Sequence, residues 1–170
     1  MKKSKYMIVF MFFVTLSLLT TICIFSNSMK NGRESNAQSQ PIVEAVERVL
    51  DPQDKLPTKV FNYIVRKSAH IIEFSVLGLL LAGGVWCIDR MKCIQSGNDL
   101  NWCTVIAMLI GLAIAATDEM IQSFTGRTNS ATDVLIDFTG VIIGMGIVMF
   151  IKYRYEKSVN RLEKQEMLVD

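Results

Sequence analysis

No charged residue lies between Lys5 and Lys30, and Tyr6 to Phe25 is almost wholly apolar. A helix needs about 20 mostly apolar residues to cross a hydrocarbon core about 30 Å thick. This segment therefore points the chain to a membrane before any other feature is read. Lys2, Lys3 and Lys5 in front of it resemble the basic start of a secretory signal. The apolar run outlasts the roughly 7–15 residues of a signal core, however, and no Ala-x-Ala-like site follows. Ile22 before Cys23 argues against lipoprotein cleavage. The segment is expected to be a retained anchor.

Three further charge-free stretches, Phe74–Ile88, Leu100–Thr117 and Phe138–Ile151, hold 15, 18 and 14 residues. Each must recruit polar neighbours to span. Trp86, Trp102, Tyr153 and Tyr155 show from which end, because tryptophan and tyrosine prefer the membrane interface. Counting about 20 residues from them places spans near 6–25, 67–88, 102–121 and 134–153, with a tail over 154–170, in one membrane domain. The recruited residues are then His70, Glu73, Asp118, Glu119 and Asp137.

Lysines and arginines set the orientation. Three lysines precede the first span, Arg90 and Lys92 follow the second, and Lys152, Arg154, Lys157, Arg161 and Lys164 follow the fourth. The positive-inside rule places these segments in the cytoplasm. The expected fold is all-α: a multi-pass plasma-membrane protein of four antiparallel helices with both termini cytoplasmic and an outer amphipathic segment between spans one and two.

Within that outer segment, Asn31–Gln40 is polar and expected to be mobile. Pro41–Leu50 carries Ile42, Val43, Val46, Val49 and Leu50 on one side and Glu44, Glu47 and Arg48 opposite. That spacing suits a short helix lying on the membrane surface or packed as a lid. Pro57 is placed to start a helix running through Phe61 and Ile64 into the second span. Lys152–Met167 reads as a helical extension or a solvated tail.

Composition excludes other classes. With 51% hydrophobic residues, mean hydropathy +0.33 and a net charge of only +2, nothing suggests nucleic acid as a partner. The four cysteines, at 23, 87, 93 and 103, have no zinc-ligand spacing. Cys87, Cys93 and Cys103 fall toward the cytoplasm and read as packing residues. No cofactor is expected; the bilayer is the expected partner.

The unusual polar groups converge. In antiparallel spans, the start of the second, the end of the third and the start of the fourth share one membrane depth. These ends carry His70 and Glu73; Asp118, Glu119 and Gln122; and Asp133 and Asp137, with Arg127 in the link. An ionisable group inside a membrane costs at least about 2.5–3.5 kcal/mol, so it faces protein or a wet cavity. Spacing agrees: His70, Glu73 and Leu77 share one helical face, and Asp133, Asp137, Gly140 and Gly144 form another stripe. Gly140 and Gly144 permit close helix packing. Ser130, three residues before Asp133, resembles a capping box.

These residues carry a resemblance to the VanZ-like membrane proteins. It rests on Arg66-Lys67-x-x-His70-x-x-Glu73-Phe74-x-x-Leu77-Gly78. A second block runs Asp118-Glu119-x-x-Gln122-x-Phe124-x-Gly126-Arg127-x-x-Ser130-x-x-Asp133-x-x-x-Asp137-x-x-Gly140-x-x-x-Gly144. Phe25-Ser26-Asn27-Ser28 stands where the family often has a Phe-Ser-Ser-Gln-like segment, Phe74 where tyrosine is common, and Thr125 where proline often precedes Gly-Arg. The match runs from Tyr6 to about Ile151. The resemblance implies a cell-envelope protein; the family's founding member is associated with low-level resistance to the glycopeptide teicoplanin. It also adds Arg66, Lys67, Ser130 and Asp133 to the expected binding residues.

Four readings of the cluster stay open. It can serve only to hydrogen-bond the spans together; separately, the chain can be a structural partner of another envelope protein. It can be a pocket for a lipid-linked cell-wall precursor or glycan head group: Arg127 would hold a phosphate or carboxylate, Asp118, Glu119 and Gln122 would accept hydroxyls or amides, and His70 would titrate. It can be the centre of an intramembrane hydrolase or transferase using His70 with Asp118 or Glu119, although Ser68, Ser123 and Ser130 sit in no recognisable nucleophile motif. Last, His70, Glu73, Asp118 and Asp137 can be set out as metal ligands, but the reversed order of the Glu-x-x-His pattern and the single histidine weigh against it.

Overall fold

The computed structural model describes residues 2–51, 53, 56–92, 102–125 and 130–166. Five helices follow one another: α1 (Lys2–Ser28), α2 (Gly32–Leu50), α3 (Thr58–Lys92), α4 (Trp102–Phe124) and α5 (Ala131–Glu166). Among the described residues there is no strand. Four helices, α1, α3, α4 and α5, are long and apolar enough to cross a membrane. The all-α, four-span expectation holds, with α2 between the first two spans.

Two helices outrun their apolar segments. α3 begins directly after Pro57, whose fixed φ and missing N–H suit a helix start, and the Pro57 carbonyl accepts from Val60 N–H at 2.9 Å. α5 continues through the charged segment to Glu166, so the helical extension is present.

The polar Asn31–Gln40 stretch is helical: α2 starts at Gly32 and runs unbroken to Leu50, with Pro41 inside it. The reason is a capping box. The Asn31 side chain accepts from the backbone N–H groups of Arg33 and Glu34 at 3.1 and 3.0 Å, while the Glu34 carboxylate takes the Asn31 N–H at 3.3 Å. Pro41 then removes one helical donor. Val43 is fully buried, while Ile42, Val49 and Leu50 remain exposed.

The α3–α5 pair is the structural centre. A Cβ placed on Gly140 would meet the Ile71 carbonyl oxygen at 2.7 Å. Cβ atoms on Gly78 and Gly144 would collide with the backbone carbonyls of Val141 and Ser75. Backbone thus lies against backbone, as small-residue stripes allow in membranes. Phe74, Leu77, Val141 and Met145 are buried around this seam, joined by Ala115 from α4 and Ile24 from α1. α1 is otherwise the most exposed span: Met7, Ile8, Phe12, Leu18 and Ile22 all face outward, the surface that lipid would cover.

The end of the bundle remote from α2 has its own fastening. Lys152 Nζ lies 2.8 Å from Asp89 Oδ2, and the Trp86 and Tyr155 rings meet edge to face at 6.1 Å. Cys87 is buried and Cys103 partly so, as packing residues would be; Cys93 lies outside the described residues.

Candidate functional site

The polar groups gather at the α2 end of the bundle, at the C-termini of α1 and α4 and the N-terminal halves of α3 and α5. Three layers can be distinguished.

The innermost layer joins α1 and α4. Asp118 is completely buried. Ser28 Oγ donates to its Oδ1 at 2.5 Å and Gln122 Nε2 to its Oδ2 at 2.7 Å. Gln122 also reaches Ser28 Oγ at 3.5 Å, and Thr125 Oγ1 donates to the Ser28 carbonyl at 3.4 Å. The Asp118–Gln122 pair is an i, i+4 contact on one helical face.

Next to it His70 reaches across from α3. Its Nδ1 lies 3.9 Å from Asp118 Oδ2 and 3.7 Å from Asp137 Oδ1. Asp137 is 2% exposed, and its Oδ2 has no hydrogen-bond partner among the described residues. Glu119 is similarly buried, and its Oε2 has no hydrogen-bond partner among the described residues.

Toward the rim, Lys67 Nζ pairs with Asp133 Oδ1 at 2.6 Å, joining α3 to α5. At the start of α5, Ser130 Oγ accepts from Thr132 N–H at 3.2 Å.

Glu73 is separated from the set expected for it. It shares a helical face with His70, yet its Oε1 accepts from Asn27 Nδ2 at 2.8 Å, and His70, Asp118 and Asp137 come together without it. The reason is α1, whose last turn supplies an amide donor that Glu73 meets first.

Glu73 and His70 instead wall a cavity of about 200 Å³ between α1, α2 and α3, together with Asn27, Lys30, Arg66 and Gln38. Lys30 Nζ is held by two neutral oxygens, Asn27 Oδ1 at 3.0 Å and Gln38 Oε1 at 2.7 Å. Neither Lys30 nor Arg66 forms an ion pair with a described carboxylate. A second, apolar crevice of about 410 Å³ opens between α1, α3 and α4. On α3 the cavity takes Arg66, His70 and Glu73 and the crevice takes Leu77, Leu80, Gly84 and Ile88. These positions, three or four apart, form one continuous face of the helix.

Of the expected residues, the structure thus joins His70, Asp118, Gln122 and Asp137 directly, places Glu119, Ser130, Lys67 and Asp133 beside them, and moves Arg66 and Glu73 to the cavity. Arg127 lies outside the described residues, as does Gly126. Sequence reasoning missed Asn27, Ser28 and Lys30. Asn27 and Ser28 carried a signal: two polar residues close an apolar span within a segment typical of the family.

No curated protein and no solved structure matches the chain significantly. A family model described as VanZ/LLP1 matches residues 6–152, most of the chain, and the protein is a member of that family.

Proposed function

We propose that this VanZ-family membrane protein binds a lipid-linked anionic component of the cell envelope, with the head group in the polar cavity and the chain along the apolar crevice. The observation that carries this reading is the shared face of α3. An amphiphile needs a charged site and an apolar track in line, and the cavity and the crevice follow one another along that face. Lys30 and Arg66 supply positive charge to the cavity, and a guanidinium matches a phosphate in bidentate fashion. Asn27 and Gln38 add amide groups for sugar hydroxyls. Basic residues before the first span and after the second and fourth support a plasma-membrane orientation with both termini in the cytoplasm. The cavity then opens at the outer leaflet, where envelope precursors are used. Family membership supports a link to reduced glycopeptide susceptibility, teicoplanin first.

The test is lipid retention. Full-length protein is extracted in mild detergent and its bound lipids are measured by native mass spectrometry, for wild type, Lys30→Ala and Arg66→Ala. Retained phosphate-bearing lipid that falls at least several-fold in both variants supports the reading. Equal lipid content in all three, or neutral lipids only, overturns it. In the same variants, teicoplanin susceptibility of a sensitive Gram-positive host at matched membrane levels shows whether binding and phenotype belong together.

A further inference from the structure

We propose that His70, Asp118 and Asp137 form a binding site for one divalent transition-metal ion, with zinc as its first candidate. One ligand atom from each of the three residues lies within 4.8 Å of the others. The His70 Nδ1 separations, 3.9 Å to Asp118 Oδ2 and 3.7 Å to Asp137 Oδ1, are those of ligands around a shared centre. Zinc at about 2.0–2.2 Å from nitrogen and carboxylate ligands in tetrahedral geometry spaces them about 3.4 Å apart. The two His70 separations exceed that spacing by about half an ångström or less.

Acidic residues near one another do not make a site. The second observation is Asp137. It is 2% exposed, and its Oδ2 accepts no hydrogen bond among the described residues. A buried carboxylate oxygen left without a donor is costly, and most such groups are satisfied. The lysine that reaches this level, Lys67, is held by Asp133 at 2.6 Å. A cation bound by Asp137 would supply what its unpaired oxygen lacks.

The surroundings are those of a ligand set. Asp118 is fixed by Ser28 and Gln122, at 2.5 and 2.7 Å, the kind of outer support that orients ligating carboxylates. The three residues come from three helices, so the site depends on the assembled bundle. Three protein ligands leave a fourth position for water or a phosphate oxygen, the open arrangement of catalytic rather than structural zinc sites. His70 also lines the cavity, so an ion here stands beside the space assigned to the head group. The metal site stands on its own geometry, and its test needs no lipid.

The full-length protein is purified in detergent through a tag that binds no metal, without chelator, and metals are counted by inductively coupled plasma mass spectrometry. Wild type is expected to hold close to one equivalent per chain after dialysis against micromolar zinc, and to lose thermal stability when EDTA removes it. Asp137→Asn and His70→Gln are expected to lose at least nine-tenths of that metal. Glu73→Gln and Asp133→Asn, outside the trio, are expected to keep it. Should a variant fold poorly, chelator-stripped wild type answers independently: a rise in melting temperature on adding zinc, manganese or iron back supports the site. No stoichiometric metal and no such rise overturns it, as does equal metal in wild type and in well-folded Asp137→Asn.

Discussion

Ser28 Oγ donates to Asp118 Oδ1 at 2.5 Å, tying the last residue of α1 to the buried face of α4. Few other α1 residues are buried, and this bond and the Asn27–Glu73 bond at 2.8 Å are the shortest of its polar attachments to other spans among the described residues.

Ser28→Ala removes a hydrogen-bond donor from Asp118. Leaving a buried acceptor without its donor costs about 1–3 kcal/mol, more than the roughly 0.6 kcal/mol typical of hydrogen bonds between membrane helices, because Asp118 is completely buried. Thermal melting in detergent should show the loss. A double-mutant cycle with Asp118→Asn should give a coupling of at least ~0.5 kcal/mol; additive effects would deny the contact any energetic weight.

Gly144→Ala is expected to disrupt the α3–α5 seam, because its Cβ would collide with the Ser75 backbone carbonyl, which cannot move aside as a side chain can. Overpacking costs about 1–3 kcal/mol. Gly146→Ala meets nothing within 4 Å and serves as the control: it should leave stability level or raise it, since alanine favours helix over glycine by up to about 1 kcal/mol. Equal behaviour of the two variants contradicts the backbone contact.

How far these features were legible in the sequence varied with their cause. The spans followed from charge-free length, and His70, Asp118 and Asp137 from the cost of ionisable groups in a membrane, since both arguments depend on the chain alone. Glu73 stands apart from the trio because helical spacing gives a face and not the neighbour it meets; Asn27 on α1 decided that. The helix over residues 32–40 went unread because no apolar period marks it, although Asn31 and Glu34 already had capping-box spacing. A local motif is therefore settled by which partner the tertiary fold brings within reach.

Asn31→Ala is expected to fray the start of α2 while leaving the spans intact. Loss of an N-cap costs about 0.5–2 kcal/mol, and α2 gives up another donor at Pro41. Hydrogen exchange measured by mass spectrometry should speed up over residues 32–38 and stay unchanged in α3. Protection equal to wild type there would mean that Val43 packing, not the cap, holds the helix.

Lys67 and Asp133 pair at 2.6 Å with side chains 22% and 17% exposed. Both side chains are largely buried, so Lys67→Ala leaves Asp133 without its cation and should cost more than the about 1 kcal/mol or less of a solvent-exposed pair. The charge swap, Lys67→Asp with Asp133→Lys, should recover part of the loss in either single reversal. Melting temperatures at low and high salt check this; a swap no better than its parts would show that the pair does not interact.

The glycine seam also sets what each span meets in the bilayer. Where Gly140 and Gly144 lie on Ile71 and Ser75, no side chain stands between α3 and α5. α1 rests on α3 through the Phe13 ring at Gly83. It is also the least buried span, so acyl chains rather than protein make up most of its surroundings.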